Sequence, residues 1–130
     1  MADVAEGDEL PALDVPITTT AIVAGAIASR DYQDVHHDAE LARQRGSKDV
    51  FMNILTTNGY VGRFVTDWAG PDAVLKKVAI RLGAPNYPGD TMRMTGRVTG
   101  KGDDGHVEVE IRGANSLGDH VVGTVSLVLP

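Results

Sequence analysis

The run Arg30-Asp31-Tyr32-Gln33-Asp34-Val35-His36-His37-Asp38 is the densest polar cluster in this 130-residue chain. Asp31 and His36 stand five positions apart. If the chain bends between them, a carboxylate and an imidazole hold one water from two sides. That pairing suits acid–base addition or removal of water. Asp and His are also ordinary residues of turns and helix starts, so Asp34 or Asp38 alternatively caps the short helix that follows. A second candidate lies at the start of a long apolar helix, at Asn53. Unsatisfied N–H groups and a positive helix dipole there suit a developing enolate oxygen. Asn53 is equally suited to capping its own helix. His106 and His120 fall on separate later segments without ligand-like spacing. Both read as surface or strand-end residues, and no metal site is indicated.

The elements that must position these groups follow from periodicity. Residues 1–14 read as a flexible acidic tail. ITTTAIVAGAIAS, from Ile17 to Ser29, is β-branched and small and suits a first strand. Asp38 to Arg45 reads as a short helix stopped by Gly46. In VFMNILTTNGYVGRFVTDWAG, Ile54, Val61, Phe64, Val65 and Trp68 recur at helical spacing, and Gly70-Pro71 closes the run. Only Arg63 is charged between Asp49 and Asp67, so this helix is expected to be surrounded by protein on most sides. Gly59 and Gly62 would let another backbone approach. After Pro71 the period becomes two, with strands over Val74–Leu82, Thr91–Thr99, His106–Arg112 and His120–Leu129. Turn-rich NYPGD, GKGDDG and GANSLGD separate them. A curved antiparallel sheet wrapped around one helix, an α+β arrangement, accounts for this order. Its single domain covers 15–130.

Composition narrows the function. There is no cysteine, which excludes disulfides, zinc–cysteine sites and thiol nucleophiles. No apolar run approaches the roughly 20 residues of a membrane span, and the acidic amino end is not a signal or transit peptide. A soluble, cytoplasmic domain without membrane contact is expected. Formal net charge is -6, but the first 29 residues hold five of the eighteen acids and none of the twelve bases. An anionic chain poor in aromatics does not suit nucleic acid. The stretch from Arg63 to Lys101, which includes Lys76, Lys77 and Arg93, is locally basic and could attract a phosphorylated small molecule. Its charges alternatively form a solvated surface that does not converge.

Three motifs then point to a family. Asp31, His36 and Ala42 keep the spacing of a signature in which a His follows an Asp by five positions and a small residue follows the His by six. RLGAPNYPGDTM over 81–92 and NSLGDHVVGTV over 115–125 follow in order. From Ile17 onward the chain resembles the MaoC-like hot-dog domains, which include the (R)-specific type 2 enoyl-CoA hydratases. It departs from them at Gln33-Asp34, where Asn-Pro is usual, and at Met52-Asn53, where His-Gly is usual. RDYQDVHHD, GSKDVFMNILT, VTDWAGP and NSLGDHV look very like one subfamily, the small catalytic subunits of heteromeric actinobacterial steroid enoyl-CoA hydratases of cholesterol side-chain degradation.

The resemblance implies a hot-dog fold and hydration of a bulky α,β-unsaturated acyl-CoA. Asp31 and His36 would be catalytic and the Asn53 backbone N–H the oxyanion donor. Met52, Tyr60, Phe64 and Trp68 could help line an apolar slot, although core packing suits most of them better, and Lys76, Lys77 and Arg93 would meet the coenzyme A phosphates. No cofactor is implied, because coenzyme A arrives with the substrate. The implied partner is a second MaoC-like hot-dog subunit, a larger chain, with a homodimer as the alternative. A downstream aldolase would cleave the product. Two other readings are a non-catalytic acyl-CoA-binding hot-dog subunit and a hot-dog thioesterase. The second is disfavoured because the long helix has no acid between Asp49 and Asp67.

Overall fold

Leu10, Leu13 and Val15 can all face inward while Glu9 and Asp14 face water, and this patterning makes the amino end a strand. The computed structural model describes residues 3–130, and in it β1 (Glu9–Pro16) pairs antiparallel with β3 (Thr91–Lys101). A shift in register between Leu10 and Leu13 brings both toward the core. The expected tail over 1–14 is therefore corrected. Its first two residues lie outside the described ones, but Val4 and Leu10 are buried and the acids occupy the wet face.

The second correction concerns Ile17–Ser29, which is not a strand. α1 (Thr19–Ala28) forms there because the Thr18 hydroxyl accepts the Ala21 N–H at 3.0 Å. Ile22 and Ala26, one turn apart, carry its buried stripe. A good cap and burial at helical spacing outweigh the β propensity of the threonines and isoleucines. A 3-10 turn (Asp34–His36) and α2 (Ala39–Gln44) follow, the latter capped by Asp38, which accepts the Leu41 N–H at 3.1 Å. α3 (Ile54–Ala69) is the long helix.

β2 (Val74–Leu82), β3, β4 (His106–Asn115) and β5 (Gly118–Val128) appear where the period of two placed them, and β1 adds a fifth strand. Neighbours are antiparallel in the order β1-β3-β4-β5-β2. α3 contacts both β1 and β2, the two edges, so the sheet must curl around it. This is the hot-dog fold. Val61, Phe64 and Val65 of α3 meet Met94, Val109, Ile111 and Val125 in one core. Each such burial contributes about 1.5–3 kcal/mol relative to exposure.

α3 is less enclosed than its sparse charge suggested, since Ile54 and Leu55 in its first turn are about half exposed (47% and 50%). Among the described residues of this chain no other backbone approaches Gly59 or Gly62, and a Cβ on either would meet nothing within 4 Å. The close approach lies across from them, at Gly25 of α1. A Cβ there would stand 2.2 Å from Thr56 Oγ1, so this glycine lets α1 rest on the start of α3. Among the described residues β2 pairs only with β5 and is exposed on most of both faces. Among the described residues no helix is long and apolar enough to cross a membrane.

Candidate active site

Asp31 is aimed by the way α1 ends. The Asp31 N–H reaches back to the Ala26 carbonyl (2.9 Å) and the Arg30 N–H to that of Ile27 (3.0 Å). This is the Schellman pattern, and Arg30 occupies its left-handed position with φ 57°. Glycine usually takes that position because it has no Cβ to crowd the following carbonyl. The chain then turns through Asp34–His36, which Arg45 fixes from α2 with two contacts to the Asp34 carboxylate, at 2.7 and 2.9 Å. The Arg45 guanidinium, by hydrogen bond first and charge second, holds the Asp34 carboxyl below its ordinary value. The bend brings His36 Nε2 to 3.4 Å from Asp31 Oδ2.

His36 is buried, its ring edge-on to Phe51 at 5.0 Å between centroids. Its Nδ1 lies 2.7 Å from the Phe51 carbonyl oxygen. A carbonyl only accepts, so Nδ1 carries a hydrogen, and whenever the ring holds no second one its Nε2 presents a lone pair to Asp31. The carboxylate and Nε2 are then two acceptors side by side, suited to one molecule with two O–H bonds. Asn53 caps α3, its Oδ1 accepting the Thr56 N–H at 3.1 Å. Its Nδ2 donates to Ser29 Oγ (2.9 Å) and to Asp31 Oδ2 (3.1 Å). The capping reading of this side chain therefore holds, and its backbone N–H donates to no atom of the described residues. The loop after β2 is pinned to the same place, with Met52 N donating to the Asn86 carbonyl at 3.2 Å. Asn115 Nδ2 bonds Asn86 Oδ1 (2.8 Å) and the Pro85 carbonyl (3.0 Å). The three motifs singled out in the sequence thus meet at the amino end of α3.

A family profile described as MaoC like domain matches residues 3–119. The chain belongs to the MaoC-like domain family. This MaoC-like domain is 51% identical over 121 residues to the 3-oxo-4,17-pregnadiene-20-carboxyl-CoA hydratase beta subunit of Mycobacterium tuberculosis, covering 93% of each chain. It superposes on a chain of the ChsH1-ChsH2 complex from the same organism with a TM-score of 0.94 at 49% identity, covering 97% of this chain and 98% of that one. The unliganded R-hydratase PhaJ1 of Pseudomonas aeruginosa shares the fold at a TM-score of 0.91 and 21% identity, over 99% and 84% of the two chains.

The other candidates lie apart from the Asp31–His36 pair. Met52 and Phe64 are buried core residues, the Met52 sulfur lying beside Asn86 and the Phe64 ring beside Gly96 of β3. Trp68 lies near the far end of α3, beside Leu13 and Asp67. Only Tyr60 borders an open groove next to Ser29, an apolar cleft of about 360 Å³ between α1 and α3 that also meets Leu55, Gly59 and Arg63. Lys76, Lys77 and Arg93 do not converge on this MaoC-like domain. Lys77 is level with Ser126, Glu108 and Gly100 across the sheet, whereas Arg93 is level with Ala114. Seven residues along β3 separate those levels, roughly 23 Å of strand. Arg93 is instead paired with Asp14 at 3.2 Å.

His106 is exposed at the start of β4, 2.8 Å from Asp104, as its position suggested. His120 is not a surface residue. It is buried between Thr57 Oγ1 at Nε2 (2.8 Å) and the Ala84 carbonyl at Nδ1 (2.7 Å). Burial lowers its pKa below the ordinary 6.5, against a smaller opposing effect of the Ala84 carbonyl. Ser29, Thr56, Phe51, Asn86 and His120 all support the site, and none carries a local sequence signal for that role. Apart from the local Thr56–Asn53 bond, their contacts are long-range or main-chain.

Proposed function

We propose that this chain is the catalytic half of a hetero-oligomeric enoyl-CoA hydratase acting on a bulky steroid acyl thioester. The observation that carries the reading is the Asp31–His36 pair at 3.4 Å beside the free Asn53 N–H, at a helix start. A water donating one O–H to Asp31 and one to His36 Nε2 keeps an oxygen lone pair for the β-carbon of the substrate. As the C–O bond forms, the pair removes one proton from that water and returns one to the α-carbon. The enzyme finishes in its starting protonation state, and the two groups act as a coupled unit. The thioester oxygen, where enolate charge develops, receives the Asn53 N–H and the positive end of α3. No further cofactor enters, since coenzyme A is part of the substrate.

The steroid assignment is supported by 51% identity to a subunit named for 3-oxo-4,17-pregnadiene-20-carboxyl-CoA hydration. A partner hot-dog subunit is supported by the open edge of β2, the half-exposed Ile54 and Leu55, and the relative's designation as a beta subunit. The groove beside Tyr60 is too shallow and open to enclose such a substrate alone. The test is hydration of the steroid enoyl-CoA by the assembled complex, followed by loss of enoyl-thioester absorbance. Asp31→Ala and His36→Ala should each abolish turnover with the circular dichroism spectrum unchanged. Near-full activity in either variant refutes the assignment.

A further inference from the structure

We infer that the Asn53 side chain is a positioning residue for Asp31, and that the residue giving the oxyanion donor also fixes the acid–base pair; this rests on the hydratase reading above. The inference comes from a complete accounting of one buried amide. Asn53 is 2% exposed. Its Oδ1 accepts the Thr56 N–H at 3.1 Å and the Thr56 hydroxyl at 2.5 Å. Its Nδ2 donates to Ser29 Oγ and to Asp31 Oδ2. A backbone N–H only donates, so the amide oxygen must face the helix and the NH₂ must face Asp31. Ser29 is held to its accepting role because its own hydroxyl is donated to the Gly25 carbonyl at 2.7 Å. Every hydrogen-bonding capacity of the amide is used, and none is left for an alternative rotamer.

The consequence falls on Asp31 Oδ2, the oxygen that faces His36 Nε2. It receives a fixed N–H from a group that does not titrate, which holds the carboxylate in the plane where it shares a water with the imidazole. The other oxygen receives only the longer Gln33 N–H, at 3.4 Å. The groups in contact with the Asp31 carboxylate are the Asn53 amide at the start of α3, His36 on the 3-10 turn and the Gln33 N–H, with exposed Arg30 and Tyr32 its neighbours in the chain. His36 is the titratable partner that faces the carboxylate across the site.

Two substitutions at Asn53 separate positioning from capping, because both replacements are accepted helix caps. Asn53→Gly keeps the backbone N–H and removes the clamp. Asn53→Asp keeps the cap but sets a second carboxylate against Asp31, so two acidic groups compete for one proton. The assay uses the complex of this chain with its partner subunit and 3-oxo-4,17-pregnadiene-20-carboxyl-CoA, with wild type and Asp31→Ala alongside. Asn53→Gly is expected to lower kcat roughly ten- to a hundredfold with KM near wild type. Asn53→Asp is expected to move the acid limb of the kcat/KM profile upward by about one pH unit or more. If Asp31→Ala is inactive while both Asn53 variants keep the wild-type kcat and acid limb, the inference fails and the hydratase reading stands. Loss of kcat in both without movement of the limb places the effect elsewhere than the Asp31 carboxylate and also overturns it. Full activity in Asp31→Ala removes the hydratase reading and the inference together.

Discussion

Gly25→Ala tests how α1 is set against the active-site end of α3. In a helix interior alanine is favoured over glycine by about 0.8–1 kcal/mol. At Gly25 that gain meets a collision, since the new methyl would lie 2.2 Å from Thr56 Oγ1 and 2.8 Å from its Cγ2. Thr56 has no soft way to yield. It is β-branched, and its hydroxyl is bonded to Asn53 Oδ1. Overpacking of this kind costs about 1–3 kcal/mol, so the net expectation is a loss of up to about 2 kcal/mol. Gly62→Ala is the matched control, with the same propensity gain and nothing within 4 Å of the added methyl. The assay is the urea midpoint and thermal transition of each variant, where 1 kcal/mol corresponds to about 3–5 °C for a chain of this size. Thr56→Ala added to Gly25→Ala removes the two clashing atoms, and the pair should couple by about 1 kcal/mol or more. The reasoning is refuted if Gly25→Ala stabilises as much as Gly62→Ala, or if the double variant is additive.

Acidification should weaken the fold through His120. Above about pH 6.5 both folded and unfolded chains carry it neutral, and below that value only the unfolded chain takes up the proton readily. Stability then falls by at most about 1.4 kcal/mol per pH unit until the lower folded value is reached. His120→Gln should lose less between pH 7.5 and 5.5 in urea titrations, and an equal loss refutes the assignment. Arg30→Gly should relieve the left-handed backbone and raise stability by about 0.5–1 kcal/mol, read from the same midpoint. A fall would show that the Arg30 side chain supplies compensating contacts. Asn115→Ala leaves Asn86 Oδ1, in a fully buried residue, without its donor and should cost about 1–3 kcal/mol, with faster hydrogen exchange at the Met52 amide. Unchanged exchange would separate this bridge from the start of α3.

The sequence was most legible where one physical signal dominated. β3 and β4 alternate so regularly that their placement needed no tertiary information, and Asn53 and Asp38 both cap the helices they precede. α1 was misread because Thr18–Thr20 and the isoleucines favour a strand locally, whereas Ile22 and Ala26 are buried at helical spacing only once α3 lies beneath them. β1 was hidden by its acids, which mark its wet face and not a disordered tail. The Asp31–His36 pair was legible from spacing, but its geometry depends on the Phe51 carbonyl and the Asn53 amide, which approach from 15 and 22 residues away. The basic stretch left two readings open because a run of sequence does not show that Lys77 and Arg93 fall on levels seven β3 residues apart once the sheet forms. His120 lacked any local sign of burial, since the helix that covers it is 63 residues away at Thr57.

The open edge of β2 has a consequence for how such a chain exists at all. Val74, Leu75 and Leu82 lie exposed on this strand, one of the two edges of the sheet. A partner that pairs there adds its binding free energy to the folding equilibrium, so the melting point of this chain rises with the logarithm of partner concentration. The folded fraction of such a chain is then a property of the pair and of its concentration, and not of the single subunit alone.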